Sequence, residues 1–322
     1  MGMEELVRKK LEILLKDPVL IESYLKVNGS KIDMKKIEDI IASQTKKIPT
    51  AQATEKDDPT FQILLKCPVC GLSNIPGYEL KSKTVITKPD RFMVPRYESL
   101  KGFRPLNYST IAVTVCSKCL FASPDKKDFI TFSMETKSEV KSQLGPFIIE
   151  ELKNKGEERK LLIPEGMDCT KALNHPRSVD AAIFSYRLAL QRATVEQQFD
   201  GPLSSYKAGM YCLKIALFQR DSEKDDEQIV RLAIKHLKNS YVRNEAPSPD
   251  LTCQLIYTLV ALLIRIQEIN EAQTYFGLFE KLRTETANGG PDGKGVPASL
   301  DRWMDLARDL ISDRENPELW KH

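Results

Sequence analysis

Histidine is scarce in this chain. There are three in 322 residues: His175 before a proline, His236 inside a helical stretch and His322 at the end. No HExxH, no GxSxG, no glycine-rich phosphate loop and no Ser/His/Asp set can be assembled from the sequence, so an enzyme is not expected. Long apolar runs are missing as well. The longest stretch, LTCQLIYTLVALLIRI at 251–266, is cut by Thr252, Gln254 and Arg265 and falls short of the ~20 residues that cross a bilayer. It predicts a buried core helix and no membrane association. The opening MGMEELVRKKLEILLKDPVL alternates charge with Leu, Ile and Val instead of presenting the unbroken apolar core of a secretory signal, which makes the cytoplasm the expected compartment. A dominant charge is also lacking, since 48 Lys+Arg against 45 Asp+Glu leave +3. The imbalance sits in residues 61–160, with 17 basic and 11 acidic groups, whereas residues 161–322 carry 20 and 23. A mildly basic middle is compatible with nucleic acid but is far from the clustered basic face that argues for it alone.

What is present is a globular composition, 41% hydrophobic and 29% charged, in a chain long enough for two domains. It also holds seven cysteines, an odd count that in a reducing compartment means free thiols, so that paired cysteines must be explained by metal or catalysis. Two pairs occur: Cys67-Pro68-Val69-Cys70 and, 45 residues on, Cys116-Ser117-Lys118-Cys119. A two-residue gap lets both sulfurs of one turn face a single ion, and two such turns make a tetrahedral four-cysteine site of the zinc-ribbon kind. Gly71 eases the first turn. A redox CxxC belongs at a helix start within a βαβ unit, and none is visible. Four thiolates leave no open position for water, so the metal reads as structural, with zinc expected and iron as the lesser alternative. The spacer exceeds the usual ~15 to 20 residues and predicts an inserted hairpin or loop. Cys212 and Cys253 read as buried thiols in apolar helices, and Cys169 has no partner spacing.

Around these pairs the chain divides by texture. Residues 1–45 read as a helical arm, with apolar stripes over 3–26 and 33–43, either packed on the body as a hairpin or free to dock a partner. Residues 46–60 read as a linker, and 61–134 as the ribbon module with its insertion. Three candidate strands fall in FQILL, YELKSKTVIT and STIAVTV. Residues 135–322 read as a helical domain in which Pro146 begins a helix and six more follow near 178–194, 203–220, 226–242, 250–267, 270–284 and 297–313. Their predicted seams are Ala182, Tyr186, Ala189 and Ala193; Ala208, Cys212 and Ile215; Leu255, Leu259, Leu262 and Ile266; Leu300, Trp303, Ala307 and Leu310. The pair joined at Glu268–Asn270, with Ala272 one turn before Phe276, is similar to a tetratricopeptide hairpin, although the spacing between pairs is irregular. Its exposed groove, with Gln267, Gln273 and Phe276, is the expected binding surface for a protein segment. ETANGGPDGKGVPA at 285–298 reads as a loop.

Within the insertion, Arg91, Arg96, Lys101 and Arg104 interleave with Phe92, Tyr97, Phe103 and Tyr108. Cations beside stacking rings are what single-stranded nucleic acid needs, and Arg91, Arg96, Tyr97, Lys101 and Arg104 are its candidate contacts. The competing reading is a loop whose aromatics pack inward and whose cations are solvated.

CPVCG at 67–71, Tyr97, the tract Pro105-Leu106-Asn107-Tyr108 leading into VTVCSKCLFA at 113–122, SVDAAIFSYRLAL at 178–190 and YCLKIALFQRD at 211–221 together resemble an uncharacterised bacterial family. That family is a domain of unknown function with a paired-cysteine ribbon followed by tetratricopeptide-like helices. The likeness covers roughly residues 61–245 and implies a metal-binding protein with no assigned activity. Leu120 departs from it, standing where the pattern has glycine. The expected fold is α+β and mostly α. It comprises a small β-rich zinc-ribbon module with four cysteine ligands and a tetratricopeptide-like antiparallel helical domain. The expected function is that of a non-enzymatic cytoplasmic protein-interaction scaffold, with nucleic-acid binding through residues 90–108 as the alternative.

Overall fold

The computed structural model describes residues 57–133, 138–287 and 298–316. The predicted arm at 1–45, the linker up to residue 56 and most of the loop at 285–298 lie outside them.

The cysteine-bearing part is built from four two-stranded antiparallel hairpins rather than one sheet. β1 (Thr60–Leu65) pairs with β2 (Ile75–Leu80) from Thr60↔Leu80 to Leu65↔Ile75, and the loop between them carries the first cysteine pair. β3 (Val85–Pro89) and β4 (Pro95–Ser99) form a hairpin within the 45-residue spacer. β5 (Thr114–Val115) and β6 (Ala122–Ser123) flank the second pair, and β7 (Thr131–Ser133) and β8 (Ser138–Val140) follow. An isolated bridge, Lys66↔Ile130, ties the first knuckle to the strand region behind it.

Two of the three predicted strands are broken differently from expectation. YELKSKTVIT is two strands, because the chain turns over at Lys83, where φ is +58°, and Thr84 Oγ1 donates to the Lys81 carbonyl at 2.7 Å. In STIAVTV only Thr114–Val115 is extended, since Tyr108–Thr110 forms a 3-10 turn under Asn107, whose side chain accepts from the Ser109 amide. Gly77 explains how closely these strands pack, because a Cβ there would lie 2.9 Å from Thr114 Oγ1 and 3.0 Å from Leu65 Cδ1.

The helices follow their predicted starts and stops closely. α1 (Pro146–Asn154) begins at Pro146, and two short helices, α2 (Gly156–Lys160) and α3 (Cys169–Ala172), span the connector. α4 (Val179–Gln198) is capped by Ser178, whose Oγ accepts from the Ala181 amide at 3.2 Å. α5 (Ser204–Asp221), α6 (Glu227–Val242), α7 (Pro249–Arg265), α8 (Ile269–Ala287) and α9 (Ala298–Ser312) complete the array. Consecutive helices from α4 to α8 are joined by links of a few residues and pack on one another, the arrangement of antiparallel neighbours. α7 is apolar all round and sits at the centre, packed against α6, α8 and α9. Among the described residues no helix is long and apolar enough to cross a membrane.

The predicted seams are the buried faces. Ala182, Ala189, Ala193, Ala208, Cys212, Leu259, Leu300 and Ala307 are fully buried, and only Ile266 among them is partly open. The buried residues fall into three apolar clusters, and each draws on both the cysteine region and the helices. Phe92 and Val94, at the tip of the β3–β4 hairpin, belong to the same buried cluster as residues of α5 to α9. Val113, Val115, Leu120 and Ala122 pack on α4 and α5. Cys67, Val69, Cys116 and Phe121 share a cluster with Leu152 and Val195. Apolar burial therefore joins the cysteine region to the helices in all three clusters.

Buried charges reinforce the same join. Asp128, fully buried just after β6, accepts from Gln143 Nε2 at 2.7 Å and pairs with Arg192 of α4 at 2.8 Å; Ser123 Oγ also donates to it. Arg192 in turn pairs with Glu196 and donates to Tyr211 Oη at 2.9 Å. Lys214 of α5 reaches the Pro95 carbonyl at 2.7 Å and Ser109 Oγ at 2.8 Å. Burial depresses its ammonium to about 8, from an ordinary 10.5.

Candidate metal centre

Each cysteine pair sits on the same backbone device. In the first knuckle the Cys67 amide donates to the Leu72 carbonyl at 2.8 Å and the Gly71 amide donates back to the Cys67 carbonyl at 3.0 Å. In the second, the Cys116 amide donates to Phe121 and the Leu120 amide to Cys116, both at 2.8 Å. The fifth residue of each turn must be left-handed to close it. Gly71 has φ +74° and Leu120 has φ +59°, so the missing glycine of the second turn leaves its geometry unchanged. Leucine adopts a conformation that is unfavourable by ~1–2 kcal/mol. Its side chain is buried against Val113, Val115 and Ala122, and that packing offsets the strain.

The two turns face each other and bring four thiols together. Cys67 and Cys119 have sulfurs 3.5 Å apart, as do Cys70 and Cys116, and all four ligand atoms lie within 4.8 Å of one another. The close pairs run between knuckles and are far longer than the ~2.05 Å of a disulfide. Four sulfurs at ~2.3 Å from a tetrahedral ion stand ~3.8 Å from each other, so the observed cluster fits one ion with little movement. Cys67 and Cys116 are fully buried, and Cys70 and Cys119 face partly outward. Behind the second knuckle Phe121 meets Phe129 edge-on at 5.0 Å, which stiffens that side of the site.

The crowded sulfurs perturb one another: the neighbouring thiols and nearby backbone amides hold Cys116 down, while its neighbours and burial push Cys67 and Cys119 up. A cation would replace the protons that these sulfurs share with its own charge. Cys212 and Cys253 stand apart, as expected of core thiols; burial raises them to about 12 and about 11. Cys169 is half-buried against the second apolar cluster and is not part of the four-cysteine group.

The nucleic-acid candidates are sent to separate neighbours. Arg96 pairs with Asp221 at 3.1 Å, and Arg104 pairs with Asp58 beside His175. Tyr97 packs edge-on against Tyr108 at 5.2 Å, with the Lys214 ammonium 5.4 Å from its ring centroid. Phe92 lies in the core under the Arg220 guanidinium, Arg91 is half-buried and Lys101 is exposed. In the candidate groove, Gln267 and Gln273 are exposed, Phe276 is half-buried against Phe279 and Ala272 is fully buried at the α7–α8 contact. Sequence reasoning missed the buried ion pairs around Asp128 and Arg192, since charged residues in helical stretches read as solvated.

A family model described as an uncharacterized protein conserved in bacteria, DUF2225, matches residues 61–288, more than half of the chain. The match begins at β1 and runs through the end of α8, so it takes in both knuckles and the helices that pack on them. No curated protein and no solved structure matches the chain.

Proposed function

This chain belongs to the DUF2225 family of uncharacterized bacterial proteins, and from its four-thiol cluster we propose that it is a non-enzymatic interaction protein built around a structural zinc ion. The observation that carries the reading is the closed donor set: four cysteine sulfurs within 4.8 Å fill every position of a tetrahedral ion. Such an ion has no site left for water or substrate. Its work is to lock the two cysteine loops to each other, adding to the apolar packing that already seats them on the helices. Apparent zinc affinities of ~10–16 kcal/mol in small domains are ample for that role.

The remaining surface then serves recognition. The α7–α8 pair, with a small residue at the helix contact and Gln267, Gln273 and Phe276 around its outer side, is the surface we assign to a protein partner in the manner of tetratricopeptide-like hairpins. Nucleic acid is the weaker reading, because Arg96 and Arg104 are already engaged by carboxylates and Tyr97 is packed. The test is affinity capture with the full chain and with a Gln267→Arg/Gln273→Arg variant whose melting is unchanged. A protein retained by the wild type and lost from the variant supports the assignment. Equal retention by both, or retention of single-stranded RNA or DNA that falls steeply with salt, contradicts it.

A further inference from the structure

Among the described residues three arginines are almost completely buried, and they are accommodated in different ways. Arg192 is ringed by Asp128, Glu196 and Tyr211. Arg177 has no acid but gives three hydrogen bonds, to the Val113 and Leu173 carbonyls and to Ser185 Oγ. Arg159, 1% exposed on α2, gives only one: its Nε donates to the carbonyl oxygen of Cys119 at 2.8 Å. Both terminal nitrogens are buried without a hydrogen-bond partner, and no carboxylate pairs with this guanidinium among the described residues. A guanidinium cannot shed its proton to escape burial, and an uncompensated buried charge is strongly unfavourable. The helix that carries it is packed where the second knuckle ends. The negative charge it requires is absent from the carboxylates and present, once an ion is bound, in the thiolates.

We propose that Arg159 is the built-in counter-ion of the metal centre. Four thiolates around a divalent ion leave two net negative charges in a largely apolar cluster, and a buried cation hydrogen-bonded to a ligand residue compensates part of them. The inference rests on the four cysteines holding a divalent ion. It goes beyond that reading by assigning a residue of α2 a share in the strength and charge preference of the site. A ferrous or zinc centre carries two negative charges and a ferric one carries one, so a fixed cation favours the former over the latter. The single hydrogen bond to the Cys119 carbonyl ties that cation to the backbone of a ligand residue, while the charge itself stabilises the loaded form.

The experiment uses the full chain and two variants, Arg159→Met, which keeps the bulk and removes the charge, and Arg159→Lys, which keeps the charge. Zinc affinity is measured by chelator competition, and the reduction potential is measured on iron-loaded protein. Arg159→Met is expected to raise the zinc Kd by ~10- to 100-fold, the range seen when groups around metal ligands are removed. It is also expected to shift the iron couple toward ferric by about tenfold, about 59 mV for one electron. Arg159→Lys is expected to retain most of both properties. An unchanged zinc Kd in Arg159→Met overturns the proposal. So does equal weakening in both variants with no change in potential, which would make Arg159 a hydrogen-bonding brace only. If Arg159→Met does not fold, Arg159→Lys decides: near-native affinity and potential support the proposal, and loss of both overturns it. A wild-type chain that binds no divalent ion defeats the metal reading itself, an outcome separate from any response to Arg159.

Discussion

Leu120 offers a sharp test of how the second knuckle is held. The residue is left-handed at φ +59° and 3% exposed, so it is strained in its backbone and packed in its side chain. Truncation to alanine removes the packing and keeps the strain, at ~2–5 kcal/mol for a buried leucine. At an ordinary buried position glycine is worse than alanine, by ~0.8 kcal/mol for the lost methyl group and ~0.5–1 kcal/mol for the freer unfolded chain. Here glycine also releases ~1–2 kcal/mol of left-handed strain. The two terms nearly cancel, so Leu120→Gly and Leu120→Ala should differ by less than ~1 kcal/mol while both fall well below wild type. Gly71 supplies the control. A Cβ there meets nothing within 4 Å, so Gly71→Ala should lower stability by only ~1 kcal/mol through backbone strain. The assay is urea unfolding of the metal-loaded chain, comparing midpoints at constant slope. Leu120→Gly falling ~1.3 kcal/mol or more below Leu120→Ala, the difference expected where no strain is released, would refute the argument that the second turn must be left-handed.

Asp128→Asn should destabilise the protein by ~3–5 kcal/mol, because it leaves Arg192 short of a buried charge partner; a urea midpoint close to wild type would contradict that role. Lys214 should make stability rise with pH. Its folded value is about 8 against 10.5 for the free group, so between these the unfolded chain holds more protons than the folded one. The Lys214→Met chain lacks this contribution, so wild type should gain on it by the order of 3 kcal/mol from pH 8 to 10.5. A difference that stays flat or falls would show that the ammonium is not desolvated. Because all three apolar clusters mix ribbon and helix residues, Cys67→Ser should lower a single melting transition followed by both near- and far-ultraviolet circular dichroism. Two separate transitions would mean the parts fold independently.

The helices and the cysteine cluster were legible because both rest on local rules. A seam such as Leu255, Leu259 and Leu262 declares itself by spacing, a start such as Ser178 or Pro146 by capping chemistry, and the four-cysteine cluster by two CxxC units. The strands were less legible. Lys83 turns the chain in a left-handed conformation that lysine rarely adopts, and Asn107 caps a 3-10 turn, so neither break is signalled by its residue type and YELKSKTVIT and STIAVTV read as longer strands than they are. The join between ribbon and helices was invisible for a different reason. Asp128 with Arg192, Lys214 with Pro95 and Arg159 with Cys119 meet across 64, 119 and 40 residues of chain, and their burial is a property of the packed whole. Phe92 reads equally well as a stacking platform or a core residue until the hairpin tip is seen among the helices.

The central claim is that Cys67, Cys70, Cys116 and Cys119 close around one ion. X-ray absorption at the zinc edge, with elemental analysis of the full chain purified without chelators, tests it most directly. The account predicts about one zinc per chain, four sulfur neighbours at ~2.3 Å and no oxygen or nitrogen bound to the ion. It also predicts loss of the metal in Cys67→Ser. A metal-free wild-type chain, or an ion whose ligands include water or fewer than four sulfurs, would contradict it.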